Sequence, residues 1–172
     1  MKKVLLAVAF VVAVVSFSGC TETSDIKVKS EKSSKVDLKG YKSYEWFIAA
    51  QVVVDENSEY KGRGYDVDLY VQNAITKQLV KKGKVEATTD PDFLVSYVFG
   101  VDMDRIKEKV DKEGKAYIEN IPEAAIAVLV IDAHDGRLIW AGVAEGEFRK
   151  ELSDEESMKR IDYAIKKMFS EF

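Results

Sequence analysis

The chain has 172 residues, 47% of them hydrophobic and 33% charged, with 26 Lys and Arg against 30 Asp and Glu and a formal net charge of −4. A single cysteine excludes a disulfide framework, and the length suits a leader plus one domain that buries about two-thirds of its unfolded surface. The acidic balance is a poor match for phosphate backbones and speaks against nucleic acid as a partner, and one histidine leaves little material for His-based catalysis or metal binding.

The N-terminus carries Lys2 and Lys3 ahead of an apolar run from Val4 to Phe17, broken only by Ser16, and then Phe17-Ser18-Gly19-Cys20. Fourteen helical residues span roughly 21 Å, short of the ~30 Å of a bilayer's hydrocarbon, so the run has the length of a signal-peptide core rather than of a membrane span. The pattern looks like a bacterial lipoprotein signal. That resemblance implies cleavage before Cys20, a diacylglyceryl group on its thiol and acylation of the new amine. Thr21 stands where, in enteric sorting, an Asp would retain the protein at the inner membrane; its presence favours the outer membrane, facing the periplasm. Removing Lys2 and Lys3 from the 26 basic residues, against 30 acidic ones, takes the formal charge to −6.

Residues 24–35 mix serines with Lys27, Lys29, Glu31, Lys32 and Lys35, and such polarity reads as a tether. The alternation of Ile26 and Val28 leaves a short edge strand open. The expected division is a signal peptide over 1–19, the acylated Cys20 with a polar tether over 20–37, and one domain over 38–172. Within that domain, residues 41–48 read as a strand. Residues 55–64 read as a loop, in which Gly62-Arg63-Gly64 lacks the lysine and the spacing of a phosphate cradle.

From Tyr65 to Lys82 the apolar period becomes helical, with Val67, Val71, Ala74, Ile75 and Leu79 on one face and Gly83 as the stop. Residues 93–99 follow Asp90-Pro91-Asp92 and are apolar nearly throughout, as in a strand buried on at least one face. Residues 104–115 are dominated by charge and read as an exposed hairpin excursion, with a short surface helix as the alternative. Residues 125–131 suit a central strand, 132–136 a tight turn, and 137–148 a long antiparallel return. Ser153 and Glu156 have capping-box spacing ahead of a helix whose stripe is Ile161, Ala164, Ile165 and Met168. The expected fold is α+β: a mainly antiparallel sheet of about four or five strands with two helices on one face.

Tyr41-Lys42-Ser43-Tyr44-Glu45-Trp46, the helix end Lys82-Gly83, the run Asp90-Pro91-Asp92-Phe93-Leu94-Val95-Ser96-Tyr97, and Asp132 with Gly136, Trp140 and Gly142 together resemble a family of bacterial envelope lipoproteins built on a domain of unknown function. The resemblance covers nearly all of residues 38–172. It implies an envelope location and an α+β domain, and brings no catalytic residues with it.

His134 falls in the expected turn, and no GxSxG elbow exists to make a nucleophile, so no catalytic residue is assigned. Asp66/Asp68, Asp90/Asp92 and Asp102/Asp104 have a spacing that could share a cation, but a helix cap and a turn explain the first two pairs more simply, and no metal site or cofactor is expected beyond the covalent lipid on Cys20. Tyr44, Trp46, Tyr97 and Trp140 are the residues most open to a ligand or partner role, with packing in the sheet as the commoner use of strand aromatics. Two readings follow: a lipid-anchored binding or accessory module for an envelope protein partner, and a carrier or sensor of a small hydrophobic ligand. An outward apolar patch would favour the first, an enclosed apolar cavity the second.

Overall fold

The computed structural model describes residues 23–47, 51–54, 60, 62–110 and 116–172. The signal segment and Cys20 lie outside the described residues, as do 55–59 of the expected loop. Seven strands form one sheet: β1 (Lys27–Lys32), β2 (Ser43–Trp46), β3 (Gln51–Val54), β4 (Val85–Glu86), β5 (Phe93–Val110), β6 (Ala116–Asp132) and β7 (Leu138–Glu147). The order is β1-β7-β6-β5-β2-β4, with β3 also on β5. The long ladders β5–β6, β6–β7 and β1–β7 are antiparallel, while the short pairs β2–β5, β3–β5 and β2–β4 are parallel. The α+β class holds, with more strands than the sequence suggests.

The helices α1 (Val67–Lys81) and α2 (Asp154–Met168) are where periodicity places them. Asp66 caps α1, accepting from the Leu69 amide at 3.0 Å, and Gly83 ends it at φ 75°, a conformation that only glycine adopts without strain. Ser153 caps α2 in a reciprocal box with Glu156, which satisfies two amides that the first turn would otherwise leave unpaired. Val67, Val71, Ala74, Ile75 and Leu79 of α1 and Ile161, Ala164, Ile165 and Met168 of α2 are buried. They close one face of the sheet over Val95, Tyr97, Val128, Val130 and Trp140.

Part of the expected tether is a strand. β1 pairs with β7 from Lys27↔Glu145 to Lys32↔Trp140. Its outward Lys27, Lys29 and Glu31 alternate with the half-buried Val28 and Ser30, which is all an edge strand needs when backbone hydrogen bonds supply the pairing. Asp25 fixes its start: the carboxylate takes Arg160 of α2 at 2.8 and 2.5 Å, accepts from the Glu147 amide at 2.9 Å, and lies 3.4 Å from Arg149. The expected hairpin excursion is the continuation of β5 and β6, paired from Met103↔Glu123 to Val110↔Ala116, rather than a surface helix.

Candidate functional site

The four singled-out aromatics occupy the interior of the sheet–helix layer. Tyr44, Tyr97 and Trp140 are 0–1% exposed and Trp46 is half-buried. β2 lies parallel to β5, so Tyr44 stacks on Phe93 (5.8 Å between centroids), meets Trp46 edge-on (6.1 Å), and Trp46 meets Tyr97 in turn (5.9 Å). Trp140 is separate and packs on Phe169 and Phe172 at 5.0 and 5.2 Å. Three of the four thus meet each other, and none of the three fully buried rings presents a surface to a ligand. Their burial supports the packing role.

The polar tips are placed accordingly. The Tyr97 hydroxyl donates to the Asp68 carboxylate at 2.5 Å, and burial together with that carboxylate pushes its ionisation well up. Burial raises the Tyr44 hydroxyl as well; Thr76 and Glu86 stand near it, but it forms no well-aligned hydrogen bond, and neither does the Trp140 indole N–H. Gly142 explains why Trp140 and α2 approach so closely. A Cβ there would overlap Met168 Cγ and come within 2.5 Å of Trp140 Cη2, so only glycine lets the last turn of α2 rest on β7.

The motif carboxylates act as staples. Asp92 accepts from the amides of Lys42 and Ser43 at 2.6 and 2.8 Å, and these two bonds hold its carboxyl below the ordinary range while tying the start of β5 to β2. Asp132 accepts from Tyr41 at 2.5 Å and from the His134 and Asp135 amides at 2.8 and 3.2 Å. The Tyr41 bond leads in lowering Asp132, and the same bond, with burial, pushes Tyr41 up to about 12. His134 itself sits exposed in this turn. Lys84 Nζ is buried and donates to the carbonyls of Leu38 and Tyr41 at 2.6 and 2.7 Å; burial, with Lys42 nearby, lowers its ionisation. Arg63 likewise serves the fold, donating to the Leu152 and Arg149 carbonyls at 2.5 and 3.2 Å rather than facing a free anion site. Among the described residues, no group of three His, Cys, Asp or Glu gathers as a metal cluster would require.

The feature with the shape of a binding surface is the other face of the sheet. Positions opposite the core run across it in register: Leu94↔Ile131↔Leu138, Ser96↔Leu129↔Ala141, and Val98↔Ala127↔Val143. Val98 is 42% exposed, Leu129 36% and Val143 37%, and Phe47 adds an exposed ring beside β5. Lys27, Lys29 and Glu31 edge this strip on β1, and Glu45 edges it on β2. Both helices pack on the opposite side, so among the described residues neither helix covers the strip. Its signal in the sequence is the apolar character of 93–99, interrupted only by Ser96, and of 125–131 throughout, where a one-sided sheet would alternate with polar residues.

A wide hollow of about 450 Å³ lies where β1 ends and β7 begins, lined by Ser33, Ser34, Lys35 and Arg137 together with Val36, Leu138 and Ile139. A cavity of about 80 Å³ lies between the sheet and the helices, walled by Ile26, Val67, Phe99, Ile126, Ile161 and Ala164, with Arg63 and Arg160 at its polar side.

No curated protein matches the chain in sequence. Among solved structures, a PDZ domain protein from Parabacteroides distasonis shares 17% identity over 84% of the chain at a TM-score of 0.48, and the chain spans only 36% of that protein's length. PelC from Paraburkholderia phytofirmans, crystallised as a dodecamer, shares 15% identity over 84% of this chain and 95% of its own, at a TM-score of 0.49. A DUF4136 family protein from Bacteroides thetaiotaomicron shares 12% identity over 86% of this chain and 95% of its own, at 0.51; at that identity the likeness concerns the fold alone. The sequence itself settles the family, because the model of DUF4136, a domain of unknown function, matches residues 28–172, from within β1 to the C-terminus: the chain belongs to the DUF4136 family.

Proposed function

We propose that the protein is a lipid-anchored accessory module of the bacterial envelope, held by an acylated Cys20 at the outer membrane on its periplasmic side, and that it docks a protein partner through the open face of its sheet. The open apolar strip around Val98, Leu129 and Val143, edged by charge, is the observation that carries the docking reading. The segment from Lys2 to Cys20 supports the anchor. Tethering confines the domain to a thin layer and raises its effective concentration, so a modest interface suffices. No catalysis is assigned; the Tyr41 and Tyr97 hydroxyls and the Asp92 and Asp132 carboxylates serve as staples.

A carrier of a small hydrophobic ligand is the weaker reading, because ligand sites are mostly apolar and typically enclose about 300 Å³ or more, whereas the apolar cavity beneath the sheet has about 80 Å³ and the wider hollow of about 450 Å³ is lined by Ser33, Ser34, Lys35 and Arg137 beside its few apolar side chains.

The test is site-specific photo-cross-linking in intact cells, with the reactive side chain at Val98 or Val143 on the open face, or at the exposed Lys77 of α1. The docking reading expects a discrete protein adduct from both face positions and none from Lys77. Adducts from all three alike, or from none, contradict it. Separately, Cys20→Ser should move the protein to the soluble fraction, and continued membrane residence would contradict the anchor.

A further inference from the structure

The distance between the anchor and the folded body is short. Asp25 is pinned to the core through Arg160 and the Glu147 amide, and its side chain is only 12% exposed. From Cys20 to Asp25 a fully extended chain reaches at most about 18 Å. The body itself extends from the level of Glu147 to the 132–136 turn, and β6 covers most of that length between Glu123 and Asp132, about 30 Å at strand rise. If that turn faced the membrane, Asp25 would stand farther away than the tether reaches, so the Asp25 end of the sheet is the end that faces lipid.

The same end carries the β5–β6 arm. Glu147, level with Asp25, pairs with Glu123, and Glu123 pairs with Met103. Beyond that row β5 and β6 continue to Val110↔Ala116, and among the described residues no third strand pairs with them there. Seven further steps at about 3.3 Å give the arm a length of about 23 Å past the row, beyond a register shift between Gly100 and Met103 at its base, and that length exceeds the reach of a taut tether to Cys20. An isolated two-stranded ribbon is marginal in water and gains from a surface to lie on. The arm sequence intersperses Ile106, Val110, Tyr117 and Ile118 among charged residues, a composition suited to the boundary between headgroups and hydrocarbon.

We infer that the β5–β6 arm is a second membrane contact: with Cys20 anchored, it meets the lipid surface and sets the orientation of the domain, leaving the 132–136 turn on the side away from the membrane. This rests on the lipid-anchor reading above. The interaction is with lipid, and it leaves the open sheet face standing free for a protein.

The experiment uses the full-length acylated protein in vesicles of phosphatidylethanolamine and phosphatidylglycerol. Acylation of Cys20, the only cysteine, leaves an introduced Lys109→Cys or Lys107→Cys as the free thiol for a fluorophore, with His134→Cys in the exposed turn as the distant control. Nitroxide-bearing lipids in the same vesicles should cause loss of emission at both arm positions and leave position 134 bright. Vesicle-bound protein with emission preserved at both arm positions, or with position 134 quenched equally, overturns the arm contact while the anchor stands. Protein that fails to float with the vesicles overturns the anchor reading and the arm inference together. Circular dichroism of each labelled variant, matched to the parent, ensures that the reading comes from the folded domain.

Discussion

Gly142, Asp92, Asp132 and the buried aromatics show what the recognisable residues of this sequence do: they fix geometry. Gly142→Ala places a methyl group against Met168 and the rigid Trp140 ring, both fully buried. Overpacking of this kind costs about 1–3 kcal/mol, to be read as a lower urea midpoint, and Met168→Ala in the same chain should return part of the loss. The staples also make stability depend on acid. Asp92 and Asp132 have folded pKa values below their unfolded ones, so their contribution is complete above the ordinary carboxylate value near 4 and is lost as pH falls through the lowered values. Asp25 behaves alike: burial opposes its ionisation, but hydrogen bonds from Arg160 and the Glu147 amide prevail. Urea midpoints should therefore fall below pH 4, and Asp92→Asn should flatten the fall. Tyr41 has the opposite sign. Its raised value of about 12 means that the stability it adds is present below pH 10 and fades as pH rises toward 12, a fade that Tyr41→Phe should remove.

Among the elements, both helices were legible because a 3.6-residue period, a cap and a stop coincide in each. Ser153→Ala should cost α2 about 1 kcal/mol in a urea titration. The strands were legible in proportion to their apolar content. β5, β6 and β7 announce themselves, whereas β3 and β4 are too short to show a period, and β1 hides because its pairing is made by backbone and its outward side chains are Lys and Glu. What holds β1 is a pair of residues 135 positions apart in sequence, Asp25 and Arg160, which no local pattern connects. Removing one member of a buried ion pair strands the other at about 3 kcal/mol or more. Asp25→Ala should thus lower the urea midpoint and speed hydrogen exchange at the β1–β7 ladder before the β5–β6 ladder; equal effects on both ladders would show that β1 does not depend on the clamp.

For the molecule as a whole, the sequence supports an expected envelope address and a fold class, and the structure adds an apolar sheet face opposite the helices. The aromatics that stood out by type turn inward, while Val98, Leu129 and Val143 stood out in no motif because an apolar run reads the same whether both faces are covered or one lies open. With Cys20 acylated as proposed, the five-residue step to Asp25 would make orientation part of the design, because the clamp that docks β1 would also limit how far the body stands from lipid. Native mass spectrometry of the full-length protein, extracted gently from membranes, reads the anchor and the partner in one spectrum. The expected spectrum shows an acyl mass on Cys20 together with a stoichiometric protein adduct that Leu129→Lys with Val143→Lys removes. A chain without the acyl mass, or an acylated one that retains a lipid-like molecule and no protein, would contradict it.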